Sequence, residues 1–123
     1  MNQTNLVGRL VREIEVKEVG EGKIVLNNTL AVKRNFKSEQ GQQADFIPIV
    51  AWGQVAKLLQ IYCEKGDLVG LTGRIQSRSY LSKEEETIFV IELLVDEVDF
   101  LQGKRSTTSA SSSFKESKQN TSY

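Results

Sequence analysis

The sequence predicts a small all-β domain that contains a single helix. Two observations predict this class: five segments have either period-two alternation or the dense apolar content of β-strands, and only one segment has apolar residues at helical spacing. With 123 residues, the chain is long enough for one domain with a modest core and a short appendage.

Three strands are predicted in the first half of the chain. Period-two alternation indicates a first strand over residues 6–16, and the turn residues Gly20-Glu21-Gly22 separate it from a second strand over residues 23–35. A polar segment then leads to a third strand over residues 45–52. Pro48 has no backbone donor, so we expect it at a sheet edge or a bulge.

The helix is predicted over residues 54–64 and ends before Gly66. Its predicted apolar stripe consists of Val55, Leu58, Leu59 and Tyr62. Two further strands follow, over residues 68–80 and 87–101, joined by a charged hairpin tip. Five strands with a helix between the third and the fourth is the connectivity of an OB-fold, a small, partly open barrel whose broad face and loops bind oligonucleotides.

The C-terminal segment differs from the rest in composition. Residues 104–123 are rich in serine and threonine and contain only Phe114 and Tyr123 as large apolar residues. So few apolar side chains cannot offset the entropy of ordering the chain. The sequence therefore predicts a folded domain over residues 1–103 and a disordered tail over 104–123.

The charge of the chain is balanced. Sixteen basic and sixteen acidic residues give a net charge of zero, which argues against a uniformly basic nucleic-acid binder. Basic residues nevertheless cluster at 33–37 and 74–78, so a groove can carry a local positive field. The single cysteine, Cys63, excludes an internal disulfide and fits a reducing compartment, which makes the cytoplasm the expected location.

Four aromatic residues are candidates for stacking on bases: Phe36, Phe46, Trp52 and Tyr80. Aromatic residues of small β-domains are more often part of the core, and the pattern alone leaves Phe46 and Trp52 open between the two roles. Tyr80 continues a polar strand face, which favours exposure. A ring stacks on any base and a cation binds any phosphate, so the combination suits unpaired nucleic acid of any sequence.

The sequence does not predict an enzyme. It contains no histidine to serve as the usual base for a serine or cysteine nucleophile, and it has no phosphate-binding loop or dinucleotide motif. The adjacent carboxylates of Glu84, Glu85 and Glu86 fit a solvated hairpin tip better than a metal site. We therefore expect no catalytic residues, no metal and no cofactor.

Several motifs, in order, resemble the bacterial single-stranded-DNA-binding protein family. They are Leu6-Val7-Gly8-Arg9-Leu10, Leu30-Ala31-Val32 with the basic stretch and Phe36, residues 45–53, Lys65-Gly66, residues 73–80 and residues 92–101. The resemblance covers about residues 2–102. It implies an OB-fold that binds single-stranded DNA as a homotetramer.

The resemblance also implies roles for individual residues. Phe36, Phe46, Trp52 and Tyr80 match the family's base-stacking positions. The predicted phosphate-binding or polar contacts are Lys33, Arg34, Lys37, Lys65, Arg74, Gln76 and Arg78. Such a protein protects single strands in replication, recombination, repair or DNA uptake.

One departure from the family concerns the tail. The family's main replication protein ends in an acidic tip that recruits replication and repair enzymes, whereas this chain ends Lys118-Gln119-Asn120-Thr121-Ser122-Tyr123. It therefore resembles a secondary paralogue, such as one used in DNA uptake, or a plasmid or phage copy, and this ending puts recruitment of such partners in doubt. The alternative function is an OB-fold protein-interaction adaptor of the primosome type with weak affinity for nucleic acid.

Overall fold

The computed structural model describes residues 1–36, 39 and 41–102, excluding the side chain of Gln102. They form six strands and one helix: β1 (Thr4–Leu10), β2 (Val16–Val19), β3 (Lys23–Lys33), β4 (Ala44–Trp52), α1 (Gly53–Tyr62), β5 (Leu68–Leu81) and β6 (Thr87–Gln102). The predicted tail and Lys37 lie outside the described residues. No helix within the described part is both long and apolar enough to cross a membrane.

All six strands belong to one sheet that closes on itself. The strand order is β1-β5-β6-β4-β3-β2, and β1 pairs with β3 as well as with β5. The closing pairs are Arg9 opposite Ala31 and Leu10 opposite Leu30. At Gly8 an added Cβ would lie 2.4 Å from the carbonyl oxygen of Ala31, so this close approach of the two strands requires a glycine. The predicted all-β OB-fold barrel is confirmed.

The prediction of one continuous strand over residues 6–16 is wrong, because the chain leaves the sheet between β1 and β2. The buried side chain of Asn28, 4% exposed, occupies this break. Its Oδ1 accepts from the Arg12 backbone N–H at 3.1 Å, and its Nδ2 donates to the Arg12 and Glu13 carbonyls at 3.1 and 3.4 Å. The side chain thus supplies backbone partners that a neighbouring strand would otherwise provide.

The break changes only the numbering of the later elements. The predicted five strands become six, and the helix lies between β4 and β5. The remaining strand boundaries differ from the predicted ones by one or two residues, which is the usual uncertainty of strand and helix ends.

The core lies inside the barrel, and α1 packs against one end of it. The fully buried aliphatic residues include Leu10, Leu26, Leu30, Ile49, Leu59, Leu71 and Leu93. The buried residues of α1 are Ala56 and Leu59. The predicted stripe was therefore partly wrong: Leu59 is central, whereas Tyr62 is 38% exposed and contacts the Phe100 ring at a centroid distance of 5.4 Å.

The β5–β6 hairpin extends beyond the barrel. Its strands remain paired to Leu81 opposite Thr87. Ile75 follows the alternation of Val69 and Leu71 but is 38% exposed, because it lies beyond Gly73, the last residue of β5 that pairs with β1. This projecting hairpin carries much of the predicted site.

Candidate nucleic-acid interface

Phe46 and Trp52 project from the outer face of β4. The intervening core-facing residues Ile49 and Ala51 are 1% and 0% exposed, whereas Phe46 is 60% and Trp52 45% exposed. On β3 the neighbours of the two rings are Ala31 and Val25, respectively. The core role that the sequence left open for both rings is therefore excluded.

The outer face continues without interruption from β4 to the hairpin. Parallel pairing places Val50 of β4 beside Leu94 of β6, and Leu94 lies opposite Arg74 of β5. Because paired residues in neighbouring strands point to the same side of a sheet, Arg74 shares the face of Trp52. Alternation then adds Gln76, Arg78 and Tyr80 to this face.

Tyr80 and Phe36 are also accessible. Tyr80, near the end of the hairpin, is 51% exposed, as its polar strand face predicts. Phe36 follows the end of β3 and is 84% exposed. It follows the Lys33–Ala44 pair, which is the last pair between β3 and β4 and lies two residues before Phe46 in β4. Lys33 is exposed at this edge.

Three arginines predicted to bind phosphate are ion-paired with carboxylates. Arg34 contacts Asp45 at 2.6 Å, Arg74 contacts Asp96 at 3.5 Å, and Arg78 contacts Glu92 at 3.2 Å. The hydrogen bond from Arg34 lowers the pKa of the Asp45 carboxyl below its ordinary value and raises the pKa of the Arg34 guanidinium. Sequence reasoning identified the cations but not their carboxylate partners, which come from strands whose register it could not fix.

Glu92 is a buried carboxylate beneath the hairpin part of this face. Its side chain is 5% exposed, and it accepts hydrogen bonds from Gln76 Nε2 at 2.8 Å and from Arg78 Nε. Gln76 and Arg78, two of the predicted polar contacts, are therefore both held by the buried Glu92 carboxylate.

A cleft of about 570 Å³ lies between the hairpin, β3, β4 and the segment that joins β1 to β2. Its charged lining residues are Arg12, Lys17 and Arg78 with Glu13, Glu15 and Glu92. Three cations balance three carboxylates, so this cleft is not the source of a positive field.

Two lysines that sequence reasoning missed lie beside Trp52. A second cleft of about 460 Å³ is lined by Trp52 together with Lys23 at the start of β3 and Lys57 of α1. Neither lysine forms a salt bridge within the part of the chain that the structure describes. Lys23 is distant from Trp52 in sequence, and the pairing of Val25 with Trp52 brings it close. Lys57 is an exposed residue of α1, which begins directly after Trp52.

Lys65 lies apart from the two basic clusters, in the turn between α1 and β5. The neighbouring Gly66 carbonyl accepts from Arg9 Nη1 at 3.0 Å, and the Gly66 N–H donates to the Leu10 carbonyl at 2.7 Å. Arg9 is opposite Ala31, which in turn is opposite Phe46. Arg9, a third cation that sequence reasoning missed, links the Lys65 turn to the row of residues that contains Phe46.

Comparison with known proteins gives a consistent family assignment. A model of the single-strand binding protein family matches residues 1–101. Single-stranded DNA-binding protein 2 of Clostridium acetobutylicum is 48% identical over 103 residues, covering 83% of this chain and 77% of the relative. The single-stranded DNA-binding protein of Clostridium tetani is 42% identical over 115 residues, with coverage of 93% and 79%. Single-stranded DNA-binding protein B of Bacillus subtilis is 41% identical over 104 residues, with coverage of 84% and 92%.

Proposed function

Because this chain belongs to the single-strand binding protein family, we propose that it coats single-stranded DNA without reading its base sequence. It is a binding protein and not an enzyme. The observation that carries the proposal is the continuous outer face from β3 to β5, which carries both exposed rings and cations. Covered bases cannot re-pair, fold into hairpins or meet nucleases.

Binding combines stacking and charge. Phe36, Phe46, Trp52 and Tyr80 stack on bases, and each stacked base contributes about 1–3 kcal/mol in proteins of this kind. Lys33, Arg34, Lys37, Lys65, Arg74, Gln76 and Arg78 contact phosphates or other polar groups of the strand, and Lys23 and Lys57 add charge beside Trp52. Phosphate contacts release condensed counterions, so affinity falls as salt rises.

Duplex DNA is a poor ligand for the same face. Its bases are already paired and stacked, and therefore cannot lie on Trp52 or Tyr80 without being extruded, which costs a few kcal/mol per base. The preference for unpaired DNA thus follows from the use of ring faces rather than base edges.

The protein assembles into a homotetramer under this proposal. Large apolar side chains are exposed away from the proposed DNA face, among them Phe89 at 73% and Ile91 at 64%. Phe89 and Ile91 lie opposite Ser79 and Ser77, on the side of the hairpin opposite Tyr80. Exposed apolar surface of this kind is typical of an interface between subunits.

The proposed setting is the cytoplasm, together with the nucleoid DNA. The buried Cys63 needs no oxidising environment for its packing role. Replication, recombination, repair and DNA uptake all expose single strands there, and coating those strands is the same physical task in each.

Sedimentation velocity with fluorescent oligonucleotides tests both the binding of single-stranded DNA and the tetramer. We expect the free protein to sediment as four chains, and a labelled oligothymidylate, but not a labelled duplex of equal length, to sediment with it at moderate salt. A labelled single strand that sediments alone at micromolar protein would contradict the binding. A single-chain boundary would contradict only the tetramer.

A further inference from the structure

The three arginine–carboxylate pairs of the proposed interface differ in how deeply their carboxylates are buried. The side chains of Asp45 and Asp96 are 45% and 46% exposed, whereas that of Glu92 is 5% exposed. An exposed pair contributes little net stability and separates at low cost, whereas breaking a buried pair leaves an uncompensated charge.

A β-bulge places Asp96 beside Arg74. Thr72 pairs with Glu97 and Gly73 pairs with Val95, so Asp96 is the extra residue of β6 and has no partner in β5. An added Cβ at Gly73 would lie 2.0 Å from the Leu94 carbonyl oxygen, so the bulge depends on a glycine. The bulge brings the Asp96 carboxylate within 3.5 Å of Arg74 Nε.

Asp45 binds Arg34 in a way that a phosphate could reproduce. Nε and Nη2 of Arg34 both donate to Asp45 Oδ1, at 3.0 and 2.6 Å. The same edge of a guanidinium is used to bind phosphate oxygens. Asp45 directly precedes Phe46, so its side chain lies on the opposite side of β4 from that ring, and the pair borders the stacking face at the end of the β3–β4 ladder.

We propose that Asp45 and Asp96 set the affinity for single-stranded DNA by holding Arg34 and Arg74 until phosphates displace them. This inference rests on the proposed function. Binding is then an exchange of one anion for another, and the freed carboxylate takes back a cation from solution. Each pair therefore contributes less affinity and less salt dependence than an unpaired arginine.

Glu92 is outside this exchange. Arg78 contacts it through Nε, and Gln76 donates to it as well. Withdrawing these donors would leave a buried carboxylate without partners. Arg78 can meet a phosphate through its Nη groups while its Nε remains on Glu92.

Two carboxylate-to-amide variants and one control test the proposal. Asp96→Asn and Asp45→Asn should each raise the affinity for a fluorescent oligothymidylate about 1.4- to 5-fold, which corresponds to the coupling of an exposed pair. Each should also steepen the plot of log K against log salt by up to about 0.7. Glu97→Gln is the matched control, since it makes the same change in charge next to Asp96 and has no salt bridge within the described residues.

A double-mutant cycle separates exchange from a general effect of charge. In an Arg74→Gln background, Asp96→Asn should no longer raise the affinity, because there is no arginine left to release. The same holds for Asp45→Asn in an Arg34→Gln background. Circular-dichroism melting checks that each variant is folded.

The proposal is overturned if Asp96→Asn acts no more strongly than Glu97→Gln, if its effect persists without Arg74, or if it lowers the affinity. Wild-type protein that fails to bind the oligonucleotide would instead refute the proposed function. Binding by the wild type without coupling in either cycle refutes this inference alone.

Discussion

At the scale of single residues, the position of a ring in the strand decides whether it is available for stacking. The sequence could predict exposure for Tyr80, because Arg74, Gln76 and Arg78 occupy the same face and cannot be buried cheaply. It could not decide for Phe46 and Trp52, since both faces of the third predicted strand are apolar. The structure explains the second apolar face: Val50 is 5% exposed and lies beside Leu94 of β6.

Removing the Tyr80 ring tests the stacking role. Tyr80→Ala should weaken binding to oligothymidylate about 5- to 150-fold, the equivalent of roughly 1–3 kcal/mol for one stacked base. The melting temperature should change little, because the ring is half exposed and outside the core. Tyr80→Phe is the control and should retain most of the affinity. A large fall in melting temperature with unchanged binding would show a structural role instead.

Asp45 should make a small contribution to the acid stability of the protein, because its pair with Arg34 is exposed to solvent. Its folded-state pKa is held below the ordinary value of 3.8 by the hydrogen bond from Arg34. A depressed carboxyl pKa stabilises the fold above the unfolded-state pKa, and this contribution is lost as the pH falls through the folded-state pKa. The melting temperature of Asp45→Asn should therefore fall less steeply below about pH 4 than that of the wild type. Parallel melting curves for the two proteins across this range would contradict the assignment.

At the scale of elements, two irregularities shape the strands, and neither was readable from the sequence. Ile14 and Val16 keep the period-two pattern, so nothing in residues 6–16 indicates that the chain leaves the sheet after β1. The cause lies on another strand, in the buried Asn28. The bulge at Asp96 likewise depends on Gly73 of the neighbouring strand. Local patterns predicted where strands exist, but the interruptions are produced by tertiary contacts.

Replacing Asn28 tests the cause of the first irregularity. Asn28→Ala leaves the Arg12 N–H and the Arg12 carbonyl without their side-chain partner, and it should lower the free energy of unfolding by about 1–3 kcal/mol. Asn27→Ala is the control, because Asn27 is exposed, and its cost should stay within about 0.5 kcal/mol. Urea denaturation measures both. Equal effects of the two substitutions would mean that Asn28 does not hold the break.

At the scale of the whole molecule, strand register assembles the proposed interface from segments that are far apart in sequence. The fold class was predictable from strand count and helix position, and the exposure of Tyr80 from the polar residues on its strand face. The position of Lys23 beside Trp52 and the carboxylate partners of three arginines were not predictable, because they depend on which residues face each other across strands. Net neutrality of the chain is consistent with this arrangement, since paired carboxylates offset part of the charge of the interface.

The most direct measurement of DNA binding by this face is the fluorescence of Trp52, which is the one tryptophan of the chain. Trp52 is 45% exposed on the proposed interface, so stacking of a base on its ring should quench its emission. We predict saturable quenching by oligothymidylate, weakened by added salt, and much less quenching by duplex of the same length at the same nucleotide concentration. Unchanged emission at saturating single strand, or equal quenching by duplex, would contradict the assignment of this face to unpaired DNA.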